Sequence, residues 1–71
     1  MDKLTFKFVR LLKGMEQKEF AEMLGVSYSL VNAIEASRLK VSRRTKSRLL
    51  SALDLTDAKL VELEEASNAI K

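Results

Sequence analysis

The sequence predicts an all-α fold of five short helices, and three observations carry that reading. Its 71 residues include no proline and only two glycines, so no long segment contains a residue that forbids a helix. Leucine, alanine, lysine and glutamate are abundant, and no β-branched alternation runs beyond a few residues. The apolar positions recur at spacings of three and four between capping residues, which is the period of a helix rather than a strand.

Taken in order, helix 1 runs from about Lys3 to Lys13 with Leu4, Phe6, Phe8, Val9, Leu11 and Leu12. It stops at Gly14, which takes the left-handed conformation without a Cβ penalty. Helix 2 spans Gln17 to Leu24, carries Phe20, Ala21 and Leu24 on one face, and ends at Gly25. Ser27 is a good N-cap for helix 3, which runs to about Ala36. The segment from Ser37 to Ser42 lacks helical patterning and reads as a loop. Ser42 then caps helix 4, about Arg43 to Leu53, with Leu49, Leu50 and Leu53 inward. Asp54 tolerates the turn that follows. Thr56 caps a last helix of about residues 57–69, and Asp57 in its first turn suits the helix dipole.

A chain of this length is expected to form one domain, 1–71, burying only about 60% of its unfolded surface. There is no cysteine and no histidine, which removes disulfides, nearly every zinc site, thiol and imidazole nucleophiles, and the usual general base. The carboxylates that remain have little room for a cleft that would raise their pKa values. No enzyme, cofactor or metal is therefore expected; Phe20, Met15 and Met23 read as core residues, not ligands. No apolar run reaches the roughly 18 residues of a membrane span, and MDKLTFKFVRLL is too short and too charged for a signal peptide. The expectation is a cytoplasmic protein with no membrane partner.

Net charge is +3, but its distribution says more. Residues 1–48 hold eleven Lys/Arg against five Asp/Glu, and residues 49–71 hold two against five. A basic body followed by an acidic segment points to a polyanion as the partner of the body.

Helix 2, the turn at Gly25 and helix 3 form a candidate helix-turn-helix over about residues 17–36. A close helix crossing needs a small residue, which Ala21 supplies; the turn needs positive φ, which Gly25 supplies; Val26 plugs the gap after it. Leu30, Val31 and Ile34 share one face of helix 3, while Tyr28, Ser29, Asn32, Ala33 and Ala36 share the other. That second face is small, polar and uncharged. Asn32 is suited to a bidentate contact with adenine, Ser29 to almost any base, and the Ala33 methyl to a thymine methyl. Tyr28 can bond through its hydroxyl or lie against the sugar-phosphate.

Taken together, residues 4–68 resemble the Cro/C1-type (XRE-like) helix-turn-helix domain of phage repressors and bacterial regulators. The carriers of the resemblance are Arg10, Gly14-Met15, Gln17, Phe20-Ala21, Leu24-Gly25-Val26-Ser27, Val31, Ile34-Glu35 and Leu53. It implies a compact five-helix lambda-repressor-like DNA-binding domain with the helix-turn-helix at helices 2 and 3. It further implies that Gln17 holds a DNA phosphate, that Tyr28, Ser29, Asn32 and Ala33 read bases, and that Arg10 and Glu35 form a structural ion pair. Three departures stand out. Glu16 replaces the usual Ser, Thr or Asn, Ser37 stands where the family usually has glycine, and the reading face lacks the Gln, Arg or Lys common in relatives.

The segment from Arg38 to Arg48 holds six cations and no acid. Arg43, Arg44 and Lys46 near the start of helix 4 oppose its dipole. That placement is poor for folding and good for clamping phosphate, so Arg38, Lys40, Arg43, Arg44 and Lys46 are expected on the DNA backbone. Helix 1 has more apolar residues than one face requires. In the last helix Leu60, Leu63 and Ile70 form a stripe that either packs on helix 1 or serves as a dimer or partner surface.

The function expected is a sequence-specific DNA-binding regulator, a small repressor of phage or mobile-element type that occupies its operator. Its partner is double-stranded DNA at a pseudo-palindromic site, bound as a homodimer. The alternative is an antitoxin or antirepressor-like module that keeps the fold and binds a protein.

Overall fold

The computed structural model describes residues 1–69, and among these it contains five α-helices and no strand. They are α1 (Lys3–Leu12), α2 (Gln17–Leu24), α3 (Tyr28–Glu35), α4 (Arg43–Ala52) and α5 (Asp57–Ala69). Side-chain caps explain where they start. Ser27 Oγ accepts from the Leu30 N–H at 3.1 Å, Ser42 Oγ from the Thr45 N–H at 3.1 Å, and Thr56 Oγ1 from the Lys59 N–H at 3.1 Å. Each satisfies one of the orphan donors of a first turn. At α1 the cap is Asp2, whose Oδ1 accepts from the Thr5 N–H at 2.8 Å; helical patterning alone does not single it out. At α2 the Glu16 N–H donates to Glu19 Oε1 at 3.0 Å, so the helix start is held from inside its own first turn.

The first four helices stop where the backbone turns left-handed. Gly14 (φ 66°) and Gly25 (φ 71°) do this at no steric cost, whereas Ser37 (φ 64°) and Asp54 (φ 53°) do it with a side chain. Ser37 thus keeps the glycine conformation at the position where it departs from the family pattern, so the loop after α3 is shaped as a glycine would shape it.

The core is built from Phe6 and Val9 of α1, Phe20, Ala21 and Leu24 of α2, Val31 and Ile34 of α3, and Leu49 of α4. Phe6 and Phe20 meet edge to face with ring centroids 5.2 Å apart, the arrangement that ring quadrupoles favour. Met15, Met23, Val26, Leu50, Leu53 and Leu63 close its margin. α2 packs on α3 and α4, while α1 packs on α3 and α5. The α2–turn–α3 unit is therefore braced from both sides, which fixes the direction in which α3 presents its outer face.

Of the two roles open to the stripe on the last helix, Leu60 takes the intramolecular one. Leu60 is only 1% exposed. With α5 packed along α1 it has no surface left for a partner, and Leu63 is half-buried against the core. Ile70 lies outside the described residues. The large apolar side chains left in solvent are elsewhere: Leu4, Leu11 and Leu12 on α1, Tyr28 at the start of α3, Leu39 in the loop after α3, and Val61 on α5.

Candidate nucleic-acid interface

The interface begins with the turn. Gly25 adopts φ 71°, ψ 32°, and its N–H and that of Val26 bond back to the carbonyls of Glu22 and Ala21 at 3.2 and 3.0 Å. This satisfies the last carbonyls of α2 and sends the chain directly into α3. From α4, Arg48 reaches over the turn with Nη1 3.4 Å from the carbonyl oxygens of Leu24 and Gly25. Although Arg48 belongs to the basic segment, its head serves the end of α2.

Beneath α3 lies an ion pair between Arg10 and Glu35, with side chains 11% and 5% exposed. Arg10 Nε donates to Glu35 Oε2 at 2.7 Å and Nη2 donates to Oε1 at 2.9 Å, while Nη1 donates to the Met15 carbonyl at 2.8 Å. A forked pair whose third nitrogen is also engaged meets the conditions under which burying charge is tolerable. It ties α1 to the end of α3 and to the turn before α2.

Gln17 opens α2 and is half-buried, with its carboxamide engaged inside the protein. Its Nε2 donates to Glu35 Oε1 at 3.2 Å and its Oε1 accepts from Asn32 Nδ2 at 3.0 Å. Asn32 Oδ1 in turn accepts from Arg38 Nη2 at 2.8 Å. A continuous chain of side-chain hydrogen bonds therefore runs from a buried cation to an exposed one.

The residues expected to read bases fall together on the outer side of α3. Tyr28 and Ser29 are exposed, and Asn32 and Ala33 are half-buried. All four line one open hollow, and Arg38 lines it with them. An adjoining hollow between the start of α3 and the start of α4 is lined by Ser27, Lys40, Ser42 and Arg44. The fold thus sets Arg38, Lys40 and Arg44 around the first half of α3. Arg43 is exposed but lines neither hollow. Lys46 turns toward α5, where its Nζ lies 3.7 Å from Asp57 Oδ1.

Sequence reasoning missed the links from Gln17 to Asn32 and from Asn32 to Arg38, and the service that Arg48 gives to the turn. None carries a local signal, because the partners are separated by 15, 6 and 23 or 24 residues and meet only when the helices pack.

A helix-turn-helix family model matches residues 6–60, from the buried Phe6 of α1 to the buried Leu60 of α5. The chain belongs to the Cro/C1-type helix-turn-helix family. No curated protein and no solved structure matches it. The family is one of DNA-binding transcription regulators and is generally non-enzymatic, so DNA is the partner class of this helix-turn-helix chain. Among the described residues no helix is long and apolar enough to cross a membrane, and no group of three His, Cys, Asp or Glu is placed to hold a metal.

Proposed function

We propose that this protein is a sequence-specific repressor that acts by occupying its operator, of the kind encoded by phages and mobile elements. The observation that supports the reading best is the neutral polar face of α3 (Tyr28, Ser29, Asn32, Ala33) flanked by Arg38, Lys40 and Arg44. A face of that composition distinguishes bases by hydrogen bonds and methyl contacts, while the flanking cations hold the phosphates that fix its register. Arg43 and the second N–H of Gln17 Nε2 extend the phosphate contacts, and Lys46 joins them by leaving its exposed partner Asp57. One recognition helix reads few base pairs, so two copies bind a pseudo-palindrome with half-sites about one helical turn apart. The exposed Leu4, Leu11, Leu12 and Val61 supply material for the contact between copies.

Those same side chains favour a second reading, in which the fold is retained by an antitoxin or antirepressor that docks a protein. Fluorescence anisotropy separates the two. The full chain is titrated against the duplex upstream of its own coding sequence and against random duplex, each at several salt concentrations. The repressor reading expects own-site binding tighter by about 10³-fold or more with a steep salt slope. Equal, weak binding to both duplexes would remove it and leave the protein-docking reading.

A further inference from the structure

We propose that Arg38 reads a guanine in the major groove and that Asn32 positions it for that contact. The inference rests on the DNA-reading role proposed above for α3, and it moves Arg38 from the phosphate contacts to the base contacts.

Each hydrogen bond in the chain beneath α3 has a direction. Ionised Glu35 can only accept, and it accepts two bonds from Arg10 and one from Gln17 Nε2. Gln17 must therefore keep its nitrogen inward, which leaves Oε1 facing Asn32. Asn32 must answer with Nδ2, which leaves Oδ1 facing outward, and there the partner is Arg38, which can only donate. The buried charge at one end and the exposed charge at the other thus impose the same direction. Turning over either carboxamide would set donor against donor or acceptor against acceptor. The polarity of the reading face is in this way fixed from the core.

The consequence for Arg38 follows from guanidinium geometry. Nη2 carries two hydrogens, one on the edge shared with Nη1 and one on the edge shared with Nε. Asn32 uses one of them, so whichever it uses, the other edge keeps both donors. Arg38 therefore retains a complete two-pronged fork after being anchored. That fork fits guanine O6 and N7, the commonest specific contact in the major groove, and a lysine could not reproduce it. Position favours a base over a phosphate. The head of Arg38 is drawn onto Asn32 and lines the hollow of Tyr28, Ser29 and Ala33, whereas Lys40 and Arg44 line the neighbouring one.

The test is selection of binding sites from a duplex pool with twenty randomised base pairs. The full chain is compared with Arg38→Lys, Arg38→Ala, Asn32→Ala and Asn32→Asp, each shown to be folded by circular dichroism. The unaltered chain is expected to enrich a motif with a guanine whose replacement weakens binding about tenfold or more. Arg38→Lys should erase the preference at that base pair and keep the rest of the motif. Asn32→Ala should erase it too, although Arg38 is intact, whereas Asn32→Asp should keep it by leaving an oxygen for Nη2, with weaker binding to every duplex because its carboxylate opposes Gln17 Oε1 and the DNA phosphates. If Arg38→Lys keeps the guanine, or Arg38→Ala lowers binding by one factor on every duplex, Arg38 holds a phosphate and the proposal is wrong. If Asn32→Ala leaves the guanine preference unchanged, Asn32 does not position it. Enrichment of no motif by the unaltered chain would instead overturn the operator reading on which the proposal stands.

Discussion

Arg48 closes over Gly25. Its Nη1 lies 3.4 Å from the Gly25 carbonyl oxygen, and a Cβ built on that glycine would come within 2.9 Å of the same nitrogen. The turn that aims α3 is thus held by a backbone conformation that suits glycine and by a cation that suits the absence of a side chain. Gly25→Ala should destabilise by about 1–2 kcal/mol from the left-handed backbone, with a smaller addition for moving the flexible Arg48 head off its carbonyls. In an Arg48→Ala background the same change should cost less, because only the backbone part remains. Urea unfolding midpoints of the four proteins in the cycle measure the difference.

Glu35→Ala should be far more damaging. It strands Arg10, 11% exposed, without its carboxylate, and losing one partner of a buried pair costs about 3–5 kcal/mol. Replacing both residues at once, Arg10→Met with Glu35→Leu, should recover most of that loss. Recovery of the urea midpoint in the double variant is the expected result, and equal instability of the single and double variants would contradict it.

Ser37 holds φ 64° with a Cβ. Ser37→Gly should relieve about 1–2 kcal/mol of that conformational cost, and the greater freedom of the unfolded chain should return about 0.4–1 of it. The difference is a net gain of about 0–1.6 kcal/mol, and a melting temperature that rises and does not fall is the expected result.

Thr5 is fully buried and its Oγ1 has no hydrogen-bond partner among the described residues. Thr5→Val keeps the shape and removes the hydroxyl, so it should raise stability by about 1 kcal/mol. A lower urea midpoint would show that the hydroxyl is bonded in solution.

Arg43 and Arg44 sit in the first turn of α4 with no acidic residue beside them in that turn. Replacing either with alanine should move stability and binding in opposite directions. Each replacement should stabilise the fold by about 0.3–1 kcal/mol through the helix dipole. It should also weaken every duplex alike and flatten the plot of log K against log salt by about 0.9 for each phosphate no longer neutralised. Thermal melts and salt titrations on the same samples give both quantities.

The helices were legible in the sequence because their limits are chemical and local. Ser27, Ser42 and Thr56 cap, Gly14 and Gly25 stop, and each acts within three or four residues of itself. The outer face of α3 was legible for the same reason, since one helical period sorts Leu30, Val31 and Ile34 from Tyr28, Ser29, Asn32 and Ala33. Leu60 was not. A stripe at helical spacing is equally consistent with intramolecular packing and with a partner surface, and only the seat of α5 on α1 decides which. The chain of bonds through Gln17, Asn32 and Arg38 was not legible either. It joins three segments whose relative placement depends on the core, and no pattern within any one of them announces it.

That chain also limits how the protein can diversify. Position 32 has to donate to one neighbour and accept from the other, each along a set direction, and among side chains of that reach only a carboxamide does both. A hydrophobic or singly functional residue there would leave Gln17 or Arg38 without its mate. A lineage drifting toward a new operator is therefore freer to vary Tyr28, Ser29 and Ala33, whose side chains stand outside the chain of bonds. Changes at 17, 32 and 38 would have to travel together.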